Sequence, residues 1–352
     1  MARKRRSNGY TAFKVEGGIL PPEFLLTIAA QEAPKQYDVD YGLSKSLVLK
    51  EELARYWRIG NDLYSNYSER ATRNDLDKHR VGVDEWLVEL LGTILGYDDL
   101  TATNPVTFNN RIFNLSHRAC DESVPLLLVT DEYDLEKSET RFGDEGRRQS
   151  PHGLMQEYLN AEDRSLWGIV VNGNKLRLLR NNPSLTRPAF LEANLKQIFE
   201  EELYSDFAIL WLAAHASRLK SPDDSPYSCI LETWRTEAHE TGERALENLR
   251  EGVTEALRQI GSGFLQHQDN SDLRTVLEDG RLSTERFFQQ LLRLVYRLIF
   301  LFAAEERNLL HSPESTTKQR DVYRSGYSLA RLRDRAIRRR HYDSHQDLWQ
   351  GL

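Results

Sequence analysis

Ser150 to Arg180, SPHGLMQEYLNAEDRSLWGIVVNGNKLRLLR, reads as a helix, a break and a tight hairpin. Leu154, Met155, Tyr158 and Leu159 recur at helical spacing, so His152 to Glu162 predicts a helix with one apolar face. Asp163 and Arg164 interrupt it. Leu166 to Val171, LWGIVV, is a short apolar run dense enough for a strand covered on both faces. Asn172-Gly173-Asn174 then predicts a type I′ turn, whose two central residues take positive φ. Lys175 to Arg180 returns as the partner strand. A buried strand with a helix just before it implies the centre of an α/β domain.

Working upstream, Val124 to Thr130 (VPLLLVT) is a second buried-strand run, and Arg111 to His117 alternates loosely. Asp131, Glu132, Asp134 and Glu136 follow the apolar run, and a charged loop extends to Gln149. Asp84 to Leu95 is helical, with Gly96 placed as its C-cap. Tyr41 to Arg70 carries Leu47, Leu49, Leu53, Tyr56, Trp57, Ile59, Leu63 and Tyr67 at three- and four-residue steps, a long amphipathic helix whose aromatics serve packing. Residues 1–40 are expected to be basic and mostly irregular, because Pro21-Pro22 breaks any early helix, with Phe24 to Ala30 as a short apolar segment. Arg3, Lys4, Arg5 and Arg6 there are either a solvated end or an arm for nucleic-acid phosphate.

Downstream, Phe190 to Leu195 is a further strand, and Leu203 to Leu219 a helix apolar nearly all round, with His215 alone on it. A lone histidine in such a helix is a hydrogen-bonded core residue or a ligand, and the first fits its surroundings better. Lys220 to Tyr227, KSPDDSPY, breaks the pattern and sets a domain boundary. From there the chain reads as helical: Cys229 to Ile260, stopped by Gly261-Ser262-Gly263; Asp272 to Leu277; Ser283 to Leu310, with Ser283 as cap; and Tyr327 to Arg340. A further helix is expected at the end, in HQDLWQGL. The expected fold is an α/β nuclease-like domain over 41–220, then an all-α helical connector over 221–352.

The 352 residues suit two domains. The net charge of −7 leaves no overall basic excess, so any nucleic-acid contact must be local. Six arginines, Arg331, Arg333, Arg335, Arg338, Arg339 and Arg340, form the better of two candidate DNA-binding patches; the alternative is a surface helix paired with acids. Cys120 and Cys229 form no CxxC pair, which argues against a cysteine zinc site and fits a reducing cytoplasm. Arg293 and Arg297 interrupt the most apolar stretch, Leu291 to Ala304, so no membrane span is expected.

Helix, strand, strand, acidic run, helix and hairpin follow the element order of many metal-dependent nuclease cores. Such an enzyme holds magnesium between carboxylates at strand ends, with a lysine nearby, and the metal lowers the pKa of the attacking water. The candidate catalytic residues are Asp131, Glu132, Glu136, Lys137 and Gln156, with Asp131 and Glu132 as metal ligands. Gln156 and Tyr158 match the polar helix face of such cores. The spacing departs from the (D/E)xK pattern, since Lys137 follows Glu136 directly and Leu135 stands two places before the lysine. RIFNLSH carries no acid either. The bland reading is a solvated acidic loop beside an inactive core, and magnesium matters only if the site is active.

SPHGLMQEYLN, LWGIVVNGNKLRLLR, FLEANL, IFEEELYSDFAILWLAAHASR, LREGVTEALRQIGSGFLQH and FFQQLLRLVYRLIFLFAAEERNLL together resemble the N-terminal region of Eco57I-like (type IIG-like) restriction-modification DNA methyltransferases. These include the methylases of some phage-defence systems. The resemblance covers most of the chain from about Tyr41. It implies a nuclease-like region and a helical connector ahead of an adenine-specific methyltransferase domain. It also implies double-stranded DNA as a partner, and a separate methyltransferase chain or other defence subunits. This sequence has no NPPY-type motif and no glycine-rich loop after a strand, so S-adenosylmethionine is expected only for a domain missing here. The expected function is therefore DNA handling or subunit interaction, as by a truncated or split gene product, with a magnesium-dependent endonuclease as the alternative.

Overall fold

The computed structural model describes residues 10–338 apart from 109, 144–145, 183–187, 224, 308 and 313–314. Two compact units divide at Gly242 and Glu243.

The first unit is built on a seven-stranded mixed sheet. Its strands are β1 (Phe13–Glu16), β2 (Thr101–Ala102), β5 (His117–Ala119), β6 (Val124–Leu128), β7 (Trp167–Val171), β8 (Lys175–Arg180) and β9 (Phe190–Asn194), while β3 (Val106–Phe108) and β4 (Arg111–Phe113) pair apart. The sheet order is β1-β9-β8-β7-β6-β5-β2. Only β6 and β7 are parallel, with Leu126 opposite Ile169. Parallel neighbours need a crossover, and helix α3 (Pro151–Ala161) supplies it. The helices before it are α1 (Pro22–Ala29) and α2 (Leu49–Ala71); those after it are α4 (Leu195–Glu200), α5 (Tyr204–Ala214), α6 (Ala216–Leu219) and α7 (Ile230–Gln266).

Strand alternation splits the core in two. Leu126, Leu128, Ile169, Val171, Leu176 and Leu178 point into the larger cluster with Trp86, Phe199, Trp211 and Trp234. Leu127, Val129, Val170 and Leu179 point the other way, onto Met155, Tyr158 and Leu159 of α3. All five residues of β6 and of β7 are buried, as a doubly covered sheet requires.

Several expectations need correction. Residues 13–29 are not irregular: FKVE pairs with β9, and Pro22 occupies the first turn of α1 rather than breaking it. Proline is tolerated there because its missing N–H has no helical partner in any case. None of Asn172, Gly173 and Asn174 has positive φ. The side chain of Asn172 makes the turn instead, accepting from the backbone of Asn174 at 3.0 Å and of Lys175 at 2.8 Å. Gly173 is required for space, since a Cβ there would lie 1.8 Å from Tyr67 Oη. Residues Arg80–Leu87 and Leu90–Ile94 form wide π-type turns instead of a plain α-helix, and Gly96 follows with φ +74°. His215 ends α5 with extended backbone, so the expected single helix is two. The break at 220–227 does not separate the core, because Leu231 and Trp234 of α7 are wholly buried in the first unit. Trp234 Nε1 donates to the Pro34 carbonyl at 2.7 Å.

Among its described residues the second unit holds helices and turns and no strand, matching the expected change of period. Helix α7 runs through Gly261-Ser262-Gly263 instead of stopping there, and a Cβ on Gly261 would sit 3.0 Å from Leu291 of α9 (Thr284–Glu306). The glycine allows that close packing. The remaining helices are α8 (Ser271–Glu278), α10 (Thr317–Gly326) and α11 (Leu329–Ala336). Ser283 caps α9, its Oγ accepting from Arg286 N at 3.2 Å. By length and composition α9 is apolar enough to cross a membrane, and 17% of that window is buried. Arg293 and Arg297 fall near its middle, and each arginine at a bilayer centre costs about 2.5–3.5 kcal/mol on insertion scales. HQDLWQGL, Arg339, Arg340 and the Arg3 to Arg6 tail lie outside the described residues.

Candidate functional site

The five residues expected to carry metal chemistry are placed as follows. Asp131 and Glu132 are exposed just past β6. Glu132 takes Lys78 Nζ at 2.6 Å. Asp131 lies near the buried hydroxyl of Tyr67, whose pKa is pushed up by burial first and by that carboxylate second. Lys137 is exposed and pairs with Glu139 at 3.4 Å. Gln156 points elsewhere, donating to the Arg180 carbonyl at 3.1 Å and to Asn160 at 3.2 Å, with its Oε1 buried and unpartnered. Among the described residues, no group of three or more His, Cys, Asp or Glu is placed to hold a metal ion.

Glu136 belongs to a different arrangement, one not foreseen from the sequence. Arg177 of β8 is 1% exposed on the α3 side of the sheet. Its Nε donates to Glu192 Oε2 at 2.9 Å, its Nη2 to Glu136 Oε1 at 3.0 Å, and its Nη1 to His152 Nδ1 at 3.1 Å. Its guanidinium carbon lies 3.8 Å from the centre of the Phe190 ring. An arginine has no acceptor to offer, so Nδ1 of His152 must be the accepting nitrogen of a neutral ring. Burial, then the neighbouring Arg177 charge, lowers the His152 pKa to about 4. The bond from Arg177 holds the Glu136 carboxyl below its usual range against a smaller push upward from burial. Lys14 of β1 reaches Glu136 at 3.8 Å and Lys175 reaches Glu192 at 3.5 Å. The cluster joins β1, β8, β9 and the start of α3, so its chemistry is that of a satisfied buried ion network. Its only sequence signal was an arginine in an otherwise apolar strand pattern.

His215 also resolves as a core residue. Nδ1 pairs with Ser217 Oγ at 2.8 Å, and the ring lies 4.5 Å from that of Trp211. Burial, then Arg218, lowers its pKa to about 4.

A cleft of about 1020 Å³ opens where β6 and β7 begin, at the other end of these strands from the acidic run. Arg118, Ser123, Glu162, Arg164 and Asp223 help line it. Arg118 donates to the hydroxyl of Tyr158, which donates to Glu162 Oε2 at 2.6 Å; Ser165 Oγ donates to the same oxygen at 2.7 Å. The cleft is polar, and its buried carboxylate is already partnered within the chain.

The arginine-rich segment is a short helix, α11, held by one carboxylate. Glu305 of α9 accepts from Tyr323 Oη at 2.7 Å, Ser328 Oγ at 3.0 Å and Leu329 N at 2.7 Å. A carboxylate at a helix start also suits the helix dipole. Burial pushes the Glu305 carboxyl up, but these bonds outweigh it and the pKa is lowered. Leu329 and Leu332 are buried, while Arg333 and Arg338 are exposed and Arg331 and Arg335 half-buried. The Nε atoms of Arg331 and of Arg320 on α10 are buried without a hydrogen-bond partner.

No protein-family model, curated protein or solved structure matches this chain.

Proposed function

We propose that the chain is a cytoplasmic DNA-handling module of a restriction-modification or phage-defence assembly, built on a nuclease-like core that does not hydrolyse DNA. The observation that carries this reading is the run of arginines on α10 and α11, of which Arg324, Arg333 and Arg338 are exposed. Exposed guanidinium groups suit phosphate oxygens. The core supports the non-hydrolytic half. The antiparallel β2-β5-β6 strands, the α3 crossover and parallel β7 support reading this sheet as nuclease-like. Yet the acids at the end of β6 are taken up elsewhere: Glu132 pairs with Lys78 and Glu136 accepts from Arg177. Magnesium and S-adenosylmethionine have no role in this chain on that reading, and methylation falls to a separate chain.

Fluorescence anisotropy with duplex DNA across a salt series tests the binding. Log affinity should fall linearly with log salt, with a slope of about 0.9 per phosphate contacted, and with little sequence preference. Arg331→Ala, Arg333→Ala and Arg338→Ala together should weaken binding and flatten that slope. Unchanged binding at every salt concentration would make the face an ordinary solvated one. With magnesium, supercoiled plasmid should stay intact; nicking abolished by Asp131→Asn would restore the endonuclease reading.

A further inference from the structure

The second unit carries two exposed helix faces that complement each other. On α9, Arg293, Tyr296, Arg297 and Phe300 fall at spacings i, i+3, i+4 and i+7, which places them on one face. All four are exposed, Phe300 to 71%. On α7, Glu243, Leu246, Glu247 and Arg250 repeat the same spacing, and Leu246 is 67% exposed. Every residue of α7 from 240 to 252 is exposed. Acids at i and i+4 on one helix therefore match arginines at i and i+4 on the other, each pair beside a large apolar side chain. The wider charge agrees: Glu237 to Glu251 holds five glutamates and two arginines, while Thr284 to Phe300 holds three arginines and one glutamate.

We propose that these faces meet between two copies of the chain, the exposed turns of α7 in each lying on the α9 face of the other. One two-fold axis then makes both contacts at once, each covering apolar surface left open in the single chain. The glutamates meet the partner's arginines, and the ion pair of Glu247 with Arg250 at 3.6 Å, both ends exposed, is weak enough to rearrange. This pairing does not depend on the DNA-binding reading. It also accounts for α9 being apolar enough for a membrane while holding two arginines at its middle.

Sedimentation equilibrium of the full chain without DNA tests it. The mass should rise toward twice that of one chain with concentration. Arg293→Glu with Arg297→Glu should lower association about ten-fold or more, because like charges then face each other. Glu243→Arg with Glu247→Arg should do the same. Mixed one to one, the two variants should associate again, since both contacts of the mixed dimer regain opposite charges. Tyr296→Ser with Phe300→Ser should also weaken the dimer and gives a charge-neutral check if a reversed variant loses its helix content. A chain that stays monomeric, a mixture that fails to associate, or a monomer that floats with anionic phosphatidylserine vesicles through α9 would each overturn the proposal.

Discussion

The two units bury their large side chains to very different degrees. In the first, six aromatic rings, Trp57, Tyr64, Tyr67, Trp86, Phe199 and Phe207, form a chain of contacts with centroids 5.0–6.0 Å apart. The sheet is covered on both faces. In the second, the buried hydrophobic residues among those described are Leu291, Val295, Ala304, Leu329 and Leu332, while Phe288, Tyr296, Phe300 and Val322 are half or more exposed. A dense interior leaves no position on β6 where a carboxylate can be kept charged without a partner. A sparse interior leaves apolar surface that a partner can cover.

The most severe break in that contrast should come from Trp86→Ala. Trp86 is 1% exposed, stacks on Tyr67 and donates to the Gly173 carbonyl at 3.2 Å. Removal should cost about 3–5 kcal/mol, through a cavity and an orphaned carbonyl. Hydrogen exchange read by mass spectrometry should show the loss across residues 10–242 and leave 243–338 unchanged. Equal loss in both would mean that the units unfold as one.

Acid should separate the units next. The folded first unit keeps His152 and His215 neutral down to a pKa of about 4, against an ordinary value of 6.5. Above pH 6.5 neither folded nor unfolded chain protonates them, so the full stability is present. Between 6.5 and about 4 the unfolded chain takes up protons that the folded unit refuses, and stability falls with pH. The loss should be on the order of 2 kcal/mol per ring. Groups facing His152 are Arg177, Glu136 and Lys14; Arg218 and the ring of Tyr41 face His215. Denaturant midpoints at pH 7 and pH 4.5 check it, and a first unit equally stable at both values would refute the assignment.

One substitution made in each unit should change sign. Gly173→Ala in the first drives a methyl into Tyr67 Oη and should destabilise by about 1–3 kcal/mol. Gly252→Ala in the exposed stretch of α7 meets nothing within 4 Å and should stabilise by about 0.5–1 kcal/mol. Thermal melts of both variants decide this. A stabilised Gly173→Ala would mean that the Tyr67 ring moves freely aside.

Much of the first unit was legible because its signals are local. Helix α3, strands β6 to β9 and the hairpin lie where the apolar periods place them. Strand β1 was missed because FKVE, though it alternates, is only four residues long and finds its partner far along the chain. The turn at Asn172 was mistyped because a side chain, not a positive φ, makes it. Gly261-Ser262-Gly263 read as a stop because close helix packing leaves no mark in one sequence. The candidate site was the least legible part. Glu136 is an acid after an apolar strand whether it serves a metal or a buried Arg177, and only the fold decides between them.

The pairing of β1 with β9 sets a timetable for synthesis. Phe13 lies opposite Ala193, so the first strand made must wait 180 residues for its neighbour. At about 5–20 residues per second, that is roughly 9–36 s on the ribosome. Trp234 is needed to close the same core and comes later still. During that interval β1 and the apolar face of α1 have no lasting partner, so a nascent chain slowed before β9 should be the form most dependent on chaperones.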